Sequence, residues 1–169
     1  MPPVLIRDLA SADLDAVLAL NNDNVPAVSP LDAAALARLV ALASVALVAE
    51  VDGDFAGFCV VLPPGVDYGS LNYTWFSAHA SELGYGSFEY LDRIAVAPAA
   101  RRHGAGRAFY AHLVERLTGA APVLFCEVNV RPRNDASLAL HEAVGFREVG
   151  QQDTDGGAKR VSLLALDLR

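Results

Sequence analysis

The sequence is poor in several things at once. Its apolar runs, such as Val45 to Ala49 and Phe55 to Leu62, fall far short of the about 20 residues a membrane span needs, so no membrane partner is expected. It has only two cysteines, Cys59 and Cys126, each inside an apolar strand-like run. Two buried, reduced thiols fit that context; a disulfide framework or a zinc site does not, and no metal is expected. Basic residues are outnumbered, 13 Lys and Arg against 20 Asp and Glu, for a net charge of -7. A chain of that balance lacks the broad basic face that grips a phosphate backbone, so nucleic acid is not an expected partner. Met1-Pro2-Pro3-Val4-Leu5-Ile6-Arg7 has no basic n-region and no extended apolar h-region, and a cytoplasmic location is the expectation.

What is present is apolar material: 53% of the 169 residues are hydrophobic. A chain of this length buries roughly 70% of its unfolded surface, enough for one substantial core, and a single domain over residues 1–169 is expected.

Local patterns give the order of elements. Val4 to Arg7 reads as a strand, Ser11 as the N-cap of a helix with Leu14, Val17 and Leu18 on one face, and Asn21 to Val28 as an irregular break. Ser29-Pro30 and Asp32 start a second helix whose Leu36, Leu39, Val40 and Ala43 recur at helical spacing. Val45 to Val51, an Asp52-Gly53 turn and Phe55 to Leu62 form a hairpin. Residues 66 to 87 make an excursion with one short helix around Trp75 and Phe76. Tyr90 to Val96 returns to strand, Pro98 to His103 turns, and Ala105, Phe109, Leu113 and Leu117 mark a helix ended by Thr118-Gly119. Val123 to Val130 is a strand, a helix runs from near Asp135 to Gly145, and Phe146 to Val149 pairs with Val161 to Leu168. This order predicts an α/β fold with a mixed, mostly antiparallel twisted sheet of about seven strands flanked by about four helices.

The stretch Ile94-Ala95-Val96-Ala97-Pro98-Ala99-Ala100-Arg101-Arg102-His103-Gly104-Ala105-Gly106-Arg107 joins a strand through a basic, glycine-containing turn to a helix. Gly104 and Gly106 allow backbone N–H groups to approach an anion, the helix offers its positive end, and Arg101, Arg102 and Arg107 supply mobile positive charge. A diphosphate suits such a cradle. A P-loop would need Gly-Lys-Ser/Thr, and a Rossmann fingerprint a third glycine where Phe109 stands.

Here the sequence resembles the GCN5-related N-acetyltransferase (GNAT) superfamily, whose acyl-CoA loop reads Arg/Gln-x-x-Gly-x-Gly/Ala after a strand ending in Val-x-Pro. Arg101 to Gly106 matches it position for position, and Asn134, Leu140 and Gly145-Phe146 repeat its downstream pattern. The resemblance implies acetyl-CoA as acyl donor. Ile94, Ala95 and Val96 would hold the pantetheine arm and thioester, Arg101, Arg102, His103, Gly104, Ala105, Gly106 and Arg107 the pyrophosphate, and Asn134 another part of CoA.

Acetyl transfer to an amine needs a base for the amine and help for the departing thiolate. Glu127, in Phe125-Cys126-Glu127-Val128-Asn129, sits among apolar neighbours where a carboxylate gains basicity. The segment resembles the Leu-Glu-Val-Arg strand of the superfamily's protein N-terminal acetyltransferases, with Asn129 in place of their Arg. His141 stands where most superfamily members carry the Tyr that protonates the thiolate; its alternative is an exposed helical residue beside Glu142. Tyr90 and Asp92 alternate onto one strand face, where either could orient the amine. Asn21 to Ser29, Trp75-Phe76 and a hairpin tip at Gln151 to Lys159 would frame the acceptor, a small-molecule or peptide amine, with Asp23, Asp67, Glu82 and Glu89 available to attract it. The competing expectation is a catalytically inactive acyl-CoA-binding regulatory domain. If the chain self-associates, a homodimer is the expected form.

Overall fold

A computed structural model describes residues 2–169. Its strands are β1 (Val4–Asp8), β2 (Val45–Val51), β3 (Asp54–Leu62), β4 (Glu89–Val96), β5 (Val123–Arg131), β6 (Arg147–Thr154) and β7 (Lys159–Asp167). Its α-helices are α1 (Leu14–Asp23), α2 (Ala33–Leu42), α3 (Leu71–His79), α4 (Ala105–Leu117) and α5 (Asp135–Val144). The strands form one sheet in the order β1-β2-β3-β4-β5-β7-β6. β1–β2, β2–β3, β5–β7 and β6–β7 run antiparallel, and β4–β5 runs parallel through Glu89↔Leu124 and Tyr90↔Phe125. The mixed, mostly antiparallel α/β expectation holds, with five α-helices among the described residues rather than about four. Among the described residues no helix is long and apolar enough to cross a membrane.

Three boundaries differ from the sequence reading. Ser11 does not cap α1: it opens a 3-10 turn, Ser11–Asp13, and the Asp13 carboxylate reaches back to accept from the Ala10 N–H at 2.7 Å. Arg7 donates to the same carboxylate at 2.8 Å and holds Asp13 below the usual carboxylate range. α1 continues to Asp23, past Asn21 where a break was expected, because the Asn21 side chain is buried and satisfied rather than competing for its own backbone. β6 extends to Thr154 and β7 starts at Lys159, so the tip between them is only residues 155–158; cross-strand register carries polar residues into strand where local pattern suggested loop.

The chain divides into two compact units: the residues up to Leu62 with Asp92–Leu113, and Pro63–Leu91 with Val114–Arg169. In the first, α1 buries Val17 and Leu20, and α2 buries Leu36 and Leu39. Each such side chain contributes about 1.5–3 kcal/mol when fully buried. Asp32 caps α2 by accepting from the Ala35 N–H at 2.7 Å. β3 is buried on both faces from Ala56 to Leu62, which explains its unbroken apolar run. A Cβ at Gly57 would lie 2.5 Å from the Ala95 carbonyl oxygen, so only glycine lets β3 approach the end of β4 this closely.

The second unit has an aromatic core. Phe76 of α3 stacks on Phe125 of β5 at 4.3 Å between centroids, and Tyr73, Tyr85, Phe88 and Tyr90 pack around them. Ser70 caps α3 through the Tyr73 N–H. Trp75 stacks on His79 at 4.1 Å and lies against Gly150, where a Cβ would come within 3.0 Å of the indole. α5 ends on Gly145 at φ 114, and the N–H groups of Gly145 and Phe146 return to its last carbonyls.

Candidate functional site

In the first unit, β4 ends at Val96 and Pro98–Ala100 forms a 3-10 turn. The chain then reverses through Arg102 at φ 69 and Gly104 at φ 82 before α4 begins at Ala105. A Cβ on Gly104 would meet nothing within 4 Å, so the glycine answers to its left-handed backbone and not to crowding. The first N–H groups of α4 have no intrahelical acceptors and carry the positive end of the helix dipole. Arg102 and Arg107 are exposed, while Ala105 is buried and anchors the turn. Ala95 points into the core, and Ile94 and Val96 are half-buried.

Arg101 departs from the expected mobile cation. Its Nε donates to the Val96 carbonyl and its Nη2 to Asn24 Oδ1, both at 3.2 Å. His103 is half-buried, and its Nδ1 is buried with no hydrogen-bond partner among the described residues. An unsatisfied buried polar atom costs about 1–3 kcal/mol. Its presence in a turn of two left-handed residues at a helix N-terminus fits a cradle that an anionic ligand completes. Asp92 and Arg93 pair at 2.7 Å, both nearly buried, so the Asp92 carboxylate is committed to its neighbour.

In the second unit, Tyr90 and Glu127, separated by 37 residues in sequence, are brought together: the Tyr90 hydroxyl lies 2.8 and 2.7 Å from the two carboxylate oxygens and donates to them. Parallel pairing of Tyr90 with Phe125 sets this meeting. Tyr90 is fully buried, so its ring cannot swing away, and the half-buried Glu127 carboxylate is held by a fixed donor. Burial pushes the neighbouring Cys126 thiol well up, and the Glu127 charge adds to it, which leaves that thiol inert.

His141 is not the exposed helical residue of the alternative reading; it is 3% exposed. Its Nδ1–H donates to the Ser137 carbonyl at 2.7 Å, since a carbonyl can only accept, and its ring meets Phe146 edge-on at 5.2 Å. Burial lowers the His141 pKa, opposed by that backbone bond, so the neutral ring is favoured. Asn134 caps α5: its Oδ1 accepts from the Ser137 N–H at 3.1 Å.

Of the residues expected to frame an acceptor, Phe76 belongs to the core and Trp75 is half-buried. Asp23, Asp67 and Glu82 are exposed and Glu89 half-buried. The sequence reading passed over Gly57 and Arg93. A lone glycine and a lone arginine inside apolar strands were the available signals, of close backbone approach and of a buried, partnered charge.

The model of the acetyltransferase (GNAT) family matches residues 14–146. No curated protein matches significantly. Among solved structures, the ribosomal-protein-S18-alanine N-acetyltransferase of Escherichia coli superposes with a TM-score of 0.72 at 23% identity, over 98% of this chain and 94% of that one. The ribosomal-protein-alanine N-acetyltransferase of Brucella melitensis gives 0.72 at 26% identity, over 96% and 99%. Arabidopsis thaliana NAA60 in complex with a bisubstrate analogue gives 0.77 at 17%, over 98% of each chain.

Proposed function

The chain belongs to the acetyltransferase (GNAT) family and is an acyltransferase; from that premise we propose that it moves an acetyl group from acetyl-CoA to a primary amine by direct attack on the thioester. The observation that carries the reading is the strand–turn–helix cradle of residues 94–107, with Gly104 held left-handed and His103 Nδ1 buried without a partner among the described residues. In this reading Ile94, Ala95 and Val96 receive the pantetheine arm, and Arg101, Arg102, His103, Gly104, Ala105, Gly106 and Arg107 surround the pyrophosphate. Asn134 contacts another part of CoA in addition to capping α5. All of residues 1–169 serve as one N-acetyltransferase domain.

Acetyl-CoA, when bound, supplies an activated acetyl thioester and a thiolate leaving group. Glu127 takes the amine proton, through a water molecule, as the nitrogen attacks. Tyr90 keeps the carboxylate aimed by donating to it, so the base does not spend time in unproductive rotamers. His141 is the residue assigned to the departing thiolate, which it could assist only through its second ring nitrogen. With Nδ1–H committed to Ser137, a proton for the thiolate would have to sit on the other ring nitrogen, and burial disfavours that imidazolium. A coenzyme thiolate is a good enough leaving group at pH 7 to depart with assistance short of full protonation. The acceptor is a small-molecule or peptide amine, the location cytoplasmic, and neither nucleic acid nor membrane takes part.

Calorimetric titration with acetyl-CoA tests this reading, using wild type, Gly104→Glu and Gly104→Asn. Glutamate adds charge and bulk in the cradle, whereas asparagine tolerates the left-handed backbone. Micromolar binding by wild type, lost in Gly104→Glu and weakened less in Gly104→Asn, is expected. No binding by wild type overturns the reading. Binding without transfer to any amine of a panel (a peptide with a free N-terminal alanine, free amino acids, spermidine) would favour an acyl-CoA-binding regulatory domain.

A further inference from the structure

The connection between α1 and α2 is fastened to β4 by polar bonds rather than by core packing. Arg93, 5% exposed, donates from Nε to Asp92 at 2.7 Å, which balances its charge. Nη1 donates to Asn21 Oδ1 at 2.9 Å and to the Ser29 carbonyl at 3.1 Å, and Nη2 donates to Ser29 Oγ at 3.1 Å. Asn21, fully buried, closes the ring by donating to the Ser29 carbonyl at 3.0 Å. Outside it, Asn22 exchanges two bonds with the backbone of Leu31. Both ends of segment 21–29 are thus tied to one guanidinium, while Asp23, Val25, Pro26 and Ala27 at its tip remain exposed.

A second arginine reaches the same tip. Arg101 donates to Asn24 Oδ1 with one nitrogen and to the Val96 carbonyl with another. Arg93 and Arg101 flank Ile94–Val96 in sequence, the stretch of β4 assigned above to the acyl arm, and both extend into segment 21–29. Arg101 therefore links the segment to the last residue of that stretch and Arg93 ties it to the residue just before, which puts its tip where it can meet an amine approaching an acyl group there. Burying a guanidinium is costly unless every donor is used. An apolar residue at 93 would fill the same volume but could not fix a segment that has few apolar anchors. The planar fork fixes direction as well as distance, which a lysine cannot reproduce.

We propose that Arg93 is a positioning residue for acceptor selection: it sets the tip of segment 21–29 beside the acyl-bearing stretch of β4 and so determines which amine fits. The inference rests on the reading of Ile94–Val96 as the acyl-arm strand.

The test uses Arg93→Lys, which keeps the charge beside Asp92 but loses the fork, and Ser29→Ala, which deletes one bond at a surface residue and leaves folding intact. Three quantities are measured: hydrogen exchange of amides 21–31, calorimetric affinity for acetyl-CoA, and KM and kcat for the amines of the panel above. Exchange in 21–31 should quicken about tenfold in Arg93→Lys and a few-fold in Ser29→Ala, as expected for loss of one or two net hydrogen bonds. Acceptor KM should rise in the same order, with kcat and acetyl-CoA affinity within about twofold of wild type, since the substitutions change ground-state placement alone. Unchanged exchange and KM in both variants, or acetyl-CoA affinity falling in step with KM, overturns the proposal. A wild type that binds no acetyl-CoA, or transfers to no amine, instead brings down the reading on which it rests.

Discussion

The turn at 101–107 and the Tyr90–Glu127 pair solve different problems by different means. The turn is made of backbone: two left-handed residues and a helix start, with arginines on the outside. In the proposed reading a diphosphate is held by the N–H groups at the start of the helix, with the charge of the arginines around it. The Tyr90–Glu127 pair is made of side chains from two strands, one fully buried and the other half-buried, joined at 2.7 and 2.8 Å. As proposed, binding a diphosphate tolerates exposure because its charge is large, whereas moving a proton requires a carboxylate in one place. Substitutions in the two regions should therefore separate affinity from turnover.

The largest separation is expected from Glu127→Gln. Removing a general base costs about 10²-fold or more in kcat, while acetyl-CoA affinity by calorimetry should hold. Tyr90→Phe, which leaves the carboxylate but removes its donor, should fall between wild type and Glu127→Gln in single-turnover rate. Equal losses of affinity and turnover in either variant would erase the distinction between the two regions.

A smaller effect is expected at Asn134, which has both a structural and a proposed binding assignment. Asn134→Ala removes the α5 cap and should cost about 1 kcal/mol in denaturant unfolding. Asn134→Ser restores a capping oxygen with a shorter reach. If serine recovers stability but acetyl-CoA affinity stays reduced, the residue serves both ends; if affinity never changes, capping is its whole role.

The subtlest effect concerns acidity. Burial lowers the His141 pKa below its ordinary 6.5, so the folded chain holds that proton less tightly than the unfolded one. Stability contributed by the neutral ring is complete above about pH 6.5 and is lost as pH falls through the folded value. Denaturation midpoints at pH 7.5 and 5.5 should drop more for wild type than for His141→Gln. Equal drops would mean that the ring titrates as it does in the unfolded chain.

The sequence disclosed the backbone-made region and much less of the side-chain-made one. Arg101-x-x-Gly-x-Gly is a local pattern, because the conformation it encodes is local, and the strand before it and the helix after it follow from periodicity. The bond between Tyr90 and Glu127 depends on which strands neighbour each other, and no window of sequence contains both residues. Glu127 stood out as a carboxylate among apolar neighbours, but its hydroxyl donor became visible only through the parallel register. Arg101 is the converse case. Its motif position was legible, but its bonds to Val96 and Asn24 were not, because the partner at 24 lies 77 residues away. The place of His141 in the motif was legible but its burial was not, since helical periodicity does not say how deeply a face is covered. The polar stretches 150–154 of β6 and 159–160 of β7 were left out of the reading because their order derives from pairing between the two strands.

Trp75, the only tryptophan in the chain, lies against Gly150 and His79 in the second unit. Its emission is therefore a built-in optical label for that unit and is blind to the first, whose helices α1 and α2 dominate no fluorescence at all but do contribute ellipticity. Superimposed emission and far-UV traces during denaturation would mean one cooperative melt; separated traces would let the half that carries Glu127 be followed through its own transition without attaching any probe.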